Sequence, residues 1–141
     1  MTSTTASATA FRPQEGARVW LTRFLALDAA VTGANGLAYV AASGPLGELL
    51  GVGGGLLFGL GVFLVLFAAT VAYLATRPTP PVTAVKAVID ANAGWTVLSV
   101  LALTLWLDDP TTAGTVWILL QAVTVGGFAA LQFAALRRYR G

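Results

Sequence analysis

Apolar residues fill four long stretches of this chain, and Gly, Pro or charged clusters separate them. A helix crosses a bilayer in roughly twenty residues, and each stretch reaches that length. The first span covers about residues 17–43 and ends where Gly44-Pro45 stops a helix. The loop expected there runs on through Gly51-Val-Gly-Gly-Gly55. The second span is 56–76, broken by Arg77-Pro78-Thr-Pro80-Pro81. The third is 82–107, closed by Asp108-Asp109-Pro110, and Thr111 or Thr112 can cap the next helix. The fourth is 113–136. Residues 1–16 begin with uncharged Thr, Ser and Ala and read as a disordered cytoplasmic tail. A membrane β-barrel is excluded, because its strands alternate over about ten residues and these runs are continuous. The pattern predicts an all-α polytopic membrane protein: a four-helix transmembrane bundle over 17–141, built from two tandem helical hairpins.

Polar side chains interrupt the runs at helical spacing. In the first span, Asp28, Thr32, Asn35 and Tyr39 follow one another by four, three and four residues. At about 100° per residue these steps return to one side of a helix, so the four form a stripe. Asp28 lies five residues past Arg23, about 7 Å along the axis, and Asn35 about 18 Å along it. A carboxylate and an amide in hydrocarbon must face protein or water, so the stripe requires inward-facing neighbours. Asn92, Thr96 and Ser99 form a polar face on the third span. Gln121, Thr124, Phe128 and Gln132 share a broad face on the fourth, and Phe63, Phe67, Thr70 and Tyr73 run along the second. The candidate intramembrane polar site is therefore Asp28, Thr32, Asn35, Tyr39, Asn92, Thr96 and Gln121. Three roles fit Asp28: a proton- or cation-binding carboxylate at the mouth of a polar cavity, a buried acid held by Asn, Thr or Arg, or an acid snorkelling to the interface. Asn35 fits a packing and register role. Asp90 lies about 200° from Asn92 around the helix and pairs locally with Lys86.

Charge then sets an orientation. All eight cations (Arg12, Arg18, Arg23, Arg77, Lys86, Arg137, Arg138 and Arg140) fall before or at the start of the first span, around the second connection, or after the fourth span. The other two connections hold Glu48, Asp108 and Asp109. The positive-inside rule places both termini in the cytoplasm. Trp20, Trp106, Trp117 and Tyr139 fall near expected interfaces, where amphipathic rings settle. The Arg-rich end suits anionic lipid better than nucleic acid. The first span is interrupted by Asp28 and Asn35, so it reads as an uncleaved helix rather than a secretory signal.

Only 10% of residues are charged, against about 25% in soluble domains. There is no Cys and no His, which removes thiol exchange, structural zinc and the usual haem ligands. No metal and no cofactor is expected. Gly51-Val-Gly53-Gly-Gly-Leu lacks the Lys-Ser/Thr of a phosphate loop. Gly55 and Gly59, four residues apart, are the candidate helix-packing glycines, for a tight hairpin or a dimer face. Ala34-Asn35-Gly36 and Ala91-Asn92-Ala93 lie 57 positions apart, which fits either a duplicated hairpin or convergence on Ala-rich helices. Seven arginines against the single Lys86 point to a GC-rich bacterial genome, hence to the inner membrane.

Over residues 17–140, in hydropathy and size, the chain resembles the small four-span bacterial proteins grouped as DoxX-like. That resemblance implies a four-span fold and an accessory or unassigned role, and it carries over no site residue. The expected function is a non-catalytic structural or accessory membrane component, with the bilayer, a second copy or another membrane protein as partner. The alternative is a transporter or channel component for protons or a small molecule, acting through the polar stripe. An enzyme would need Asp28 or Asp90 as its acid or base and is the weakest of the three.

Overall fold

The computed structural model describes the backbone of residues 2–107 and 110–139, and the side-chain surroundings of 15–105, 107 and 110–139. Asp108, Asp109, Arg140 and the Trp106 side chain lie outside the described residues. The order is α1 (Thr2–Ala41), α2 (Ser43–Leu50), α3 (Gly54–Thr76), α4 (Val82–Leu101) continuing as a π-helical turn (Ala102–Trp106), and α5 (Thr112–Tyr139). Four segments are long and apolar enough to cross a membrane: Glu15–Ala41, Gly54–Thr76, Val82–Leu105 and Thr112–Tyr139.

Local chemistry explains the boundaries. Arg77 is extended, with ψ 137°, because Pro78 disfavours the helical conformation for the residue before it. Thr111 caps α5: its hydroxyl accepts the Gly114 N–H at 2.9 Å and donates to the Leu49 carbonyl at 2.7 Å. The last turn of the third span widens, and the Leu107 N–H reaches the Ala102 carbonyl at 2.8 Å, a five-residue spacing.

One boundary differs from the sequence reading. The Gly44-Pro45 segment is not a loop. The chain bends at Ala42 and resumes as the two-turn helix α2. Pro45 is tolerated there because first-turn N–H groups have no intrahelical acceptor. Gly51, at φ 72°, then closes α2 in the left-handed region, which glycine enters without a Cβ clash. At the other end, α1 starts at Thr2. Extending an existing helix fixes one residue per added hydrogen bond, whereas nucleating one is costly.

Among the spans, α1 packs most extensively on α3, α4 on α5, and α1 also on α5, while α3 and α4 meet at few points. The two hairpins are thus joined chiefly through α1 and α5. The larger core lies toward the end where Tyr139 donates to the Pro80 carbonyl at 3.4 Å. It gathers Leu21 and Leu25 of α1, Val71 of α3, Val85 and Val88 of α4, and Leu136 of α5. A smaller core of Leu57, Leu64 and Tyr39 lies beyond it.

The close approach of α1 and α3 is made by Gly36 and Gly61. A Cβ on Gly36 would stand 2.9 Å from the Gly61 carbonyl oxygen, and one on Gly61 would stand 2.8 Å from the Tyr39 Cβ. Gly55 and Gly59 play no part in it, for a Cβ on either would meet nothing within 4 Å. Likewise the inward face of α3 is Leu57, Gly61, Leu64, Ala68, Val71 and Leu74, while Thr70 and Tyr73 are exposed. At the closest approach the missing side chains of Gly36 and Gly61 let the backbones meet, with aliphatic Leu64 beside them. The outer surface is apolar: Leu66, Leu105 and Val123 are 65%, 69% and 75% exposed. That is an expensive surface in water and an ordinary one in lipid.

Candidate polar site inside the bundle

The α1 stripe faces inward as its spacing requires, but it enters two separate clusters. In the first, Asp28 is fully buried. Its Oδ1 accepts from the Thr32 hydroxyl at 2.9 Å, one turn along the same helix. Its Oδ2 accepts from Asn92 Nδ2 of α4 at 2.6 Å and from Gln132 Nε2 of α5 at 2.8 Å. Asn92 Nδ2 also donates to Gln132 Oε1 at 3.0 Å. Asp28, Asn92 and Gln132 thus close a three-membered ring that ties three spans together. Asn92 lies ten residues into α4 and Gln132 seven residues before the end of α5, about 15 and 10 Å from the basic end.

The second cluster lies seven residues further along α1, about 10 Å. Asn35 Nδ2 donates to Gln121 Oε1 at 3.2 Å, and the Tyr39 hydroxyl donates to the same oxygen at 3.3 Å. The Trp117 indole N–H in turn donates to the Tyr39 oxygen at 2.7 Å. Asn35 and Asn92 therefore occupy different heights and different partners, so the repeated Ala-Asn pair does not mark equivalent positions. Thr96 joins neither ring; its hydroxyl bonds the Asn92 carbonyl at 3.0 Å and the Ala122 carbonyl at 3.3 Å.

Two members escaped the sequence reading. Gln132 was visible on the Gln121 face of α5, but periodicity gives direction around a helix and not which neighbour stands at that height. Trp117 read as an interfacial anchor. It remains 38% exposed, yet its N–H points inward. Asp90 is exposed, as its angle from Asn92 implied, and borders a shallow groove with Lys86 and Arg137.

A cavity of about 700 Å³ lies between the hairpins. Thr32 and Asn92 connect it to the first cluster, and Asn35 and Gln121 to the second. Most of its wall is apolar, including Leu64, Phe67, Leu98 and Val125. Where α3 and α4 diverge, the Phe63 ring stacks on Trp95, centroids 6.0 Å apart and planes 9° apart. No buried side-chain nitrogen or oxygen among the described residues lacks a hydrogen-bond partner. No group of three or more His, Cys, Asp or Glu that could hold a metal gathers among them.

The fold and these clusters define an α-helical polytopic membrane protein with a polar interior. No family model, curated protein or solved structure matches the chain.

Proposed function

We propose that the protein is a non-catalytic accessory component of the bacterial inner membrane, with both termini cytoplasmic, and not a conductor of protons or ions. The carrying observation is the enclosure of Asp28. A carboxylate that loads and releases a cation must reach water or a pathway. Here both oxygens are engaged by Thr32, Asn92 and Gln132, with no exposed surface left. The acid acts as a fastener for α1, α4 and α5. Segregation of the cations to one end of the bundle supports the orientation. Outward-facing Gly55 and Gly59, engaged in nothing within the chain, leave a smooth surface for lipid or a second membrane chain.

The test is flux. Protein in vesicles loaded with a pH-sensitive dye, under an imposed potential, should admit protons no faster than protein-free vesicles, and Asp28→Asn should behave identically. Proton entry that the wild type supports and Asp28→Asn abolishes refutes the accessory reading in favour of transport.

A further inference from the structure

The cavity between the hairpins is not a sealed void but a cleft open to the bundle surface, with Val31, Phe63, Leu98 and Leu120 of its lining partly exposed. At about 700 Å³ it falls within the usual range of small-molecule sites, which are mostly apolar with a few placed polar groups. Its apolar wall gives water little to bond. The flanking solvent is hydrocarbon, so the occupant comes from the bilayer.

The second cluster specifies what part of that occupant it holds. An indole nitrogen only donates, so Trp117 obliges the Tyr39 oxygen to accept. Tyr39 must then direct its own hydrogen to Gln121, and only the carbonyl end of that amide can receive it. Asn35 Nδ2 reinforces the same polarity. The orientation of Gln121 is therefore fixed by a one-way chain of donors. Its amide N–H groups, which donate to no described residue, are left at the cavity wall. The other donors there are largely spent within the protein: Thr32 on Asp28, Asn92 Nδ2 on Asp28 and Gln132, Asn35 Nδ2 on Gln121, and Thr124 on the Leu120 carbonyl, while the Asn35 and Asn92 Oδ1 atoms accept from no described side chain.

We propose that the cavity binds a bilayer-soluble apolar molecule carrying a carbonyl oxygen, which accepts a hydrogen bond from the Gln121 amide while its chain lies against Phe67, Leu98 and Val125. Entry is lateral, between α3 and α4, where the stacked Phe63 and Trp95 rings replace close helix packing. The site does not depend on whether the protein also has a partner chain. Acyl esters and isoprenoid ketones share this chemistry.

Trp95 and Trp117 line the cavity, so their fluorescence reports occupancy. Purified, delipidated protein in micelles would be titrated with three brominated quenchers: a long-chain methyl ester, an alkane of equal length and an isoprenoid ketone. One hydrogen bond predicts that the carbonyl probes bind about five- to tenfold tighter than the alkane, and the stronger of the two identifies the source. Gln121→Leu should erase that preference. Because this variant also strands Tyr39 and Asn35, Gly94→Leu gives an independent arm. Gly94 lines the cavity, and a Cβ there meets nothing within 4 Å. The leucine should fill the space, improve helix propensity and abolish saturable quenching in a folded protein. Equal affinity for ester, ketone and alkane, absence of saturable quenching in the wild type, or wild-type binding by Gly94→Leu overturns the proposal.

Discussion

Replacing Asp28 separates a structural fastener from a charge carrier. Asp28→Ala removes the acceptor for Asn92 Nδ2 and Gln132 Nε2. Thr32 loses least, because its hydroxyl can turn to the carbonyl one turn back. Asn92 keeps Gln132 Oε1, but the Gln132 amide is left fully buried with nothing to bond. Interhelical hydrogen bonds in membranes contribute about 0.6 kcal/mol on average and about 1.7 at most. Loss of two therefore predicts destabilisation of about 1–3 kcal/mol. Asp28→Asn differs. Its amide oxygen can face Asn92 and Gln132 while its NH₂ faces the Thr32 hydroxyl, which can accept. The weaker, uncharged acceptor is offset by no longer burying a charge, so the change should stay within about 1 kcal/mol. Equilibrium unfolding in mixed micelles of rising dodecyl sulfate fraction, followed by tryptophan fluorescence, measures both. If Asp28→Asn proves as damaging as Asp28→Ala, the hydrogen-bond geometry is not what stabilises the junction, and the fastener argument fails.

Other consequences are as direct. Gly36→Ala places a methyl 2.9 Å from α3 backbone and should cost about 1–3 kcal/mol by overpacking; Gly59→Ala should be neutral or stabilising by up to about 1 kcal/mol, and the same micelle titration compares them. Thr111→Ala loses both the α5 cap and the tie to Leu49, at about 1 kcal/mol, and should speed hydrogen exchange at the Gly114 amide about fivefold with little change elsewhere. The chain has no cysteine, so single replacements report topology cleanly. An impermeant maleimide should label Glu48→Cys in intact cells and Thr79→Cys only after lysis, and the reverse result inverts the orientation.

The sequence showed clearly whatever depends on direction around a helix. Asp28, Thr32, Asn35 and Tyr39 do share a face, and Asp90 does point away from Asn92. It showed poorly what depends on height and partner. Asn35 and Asn92 look alike in sequence but sit about 10 Å apart along the bundle, bonded to different amides of α5. Glycine spacing left the partner open for the same reason: Gly55 and Gly59 share a face, but nothing local says whether it meets the neighbouring hairpin helix or looks outward. Gly36 and Gly61 meet across two helices; Gly33, one turn before Gly36, also faces α3, with a Cβ there 3.4 Å from Ala68, but three-residue spacing on one helix does not say which glycine of another stands opposite. Proline misled at Pro45, where its position within a turn matters more than its presence.

The ring that closes on Asp28 also imposes an order on biosynthesis. Its acceptor is made first, while its donors are encoded 64 and 104 residues later. At about 5–20 residues per second, the α5 amide is polymerised roughly 5–20 s after the acid it must meet. During that wait α1 carries an unmatched carboxyl into the membrane, a burden of up to about 2.5–3.5 kcal/mol, the insertion-scale figure for an acid at the helix centre. The nascent first helix should therefore linger beside the translocon, or with an insertase, until the C-terminal hairpin arrives. A ribosome-stalled chain ending before Asn92 should crosslink to that machinery far longer than one carrying Asp28→Leu.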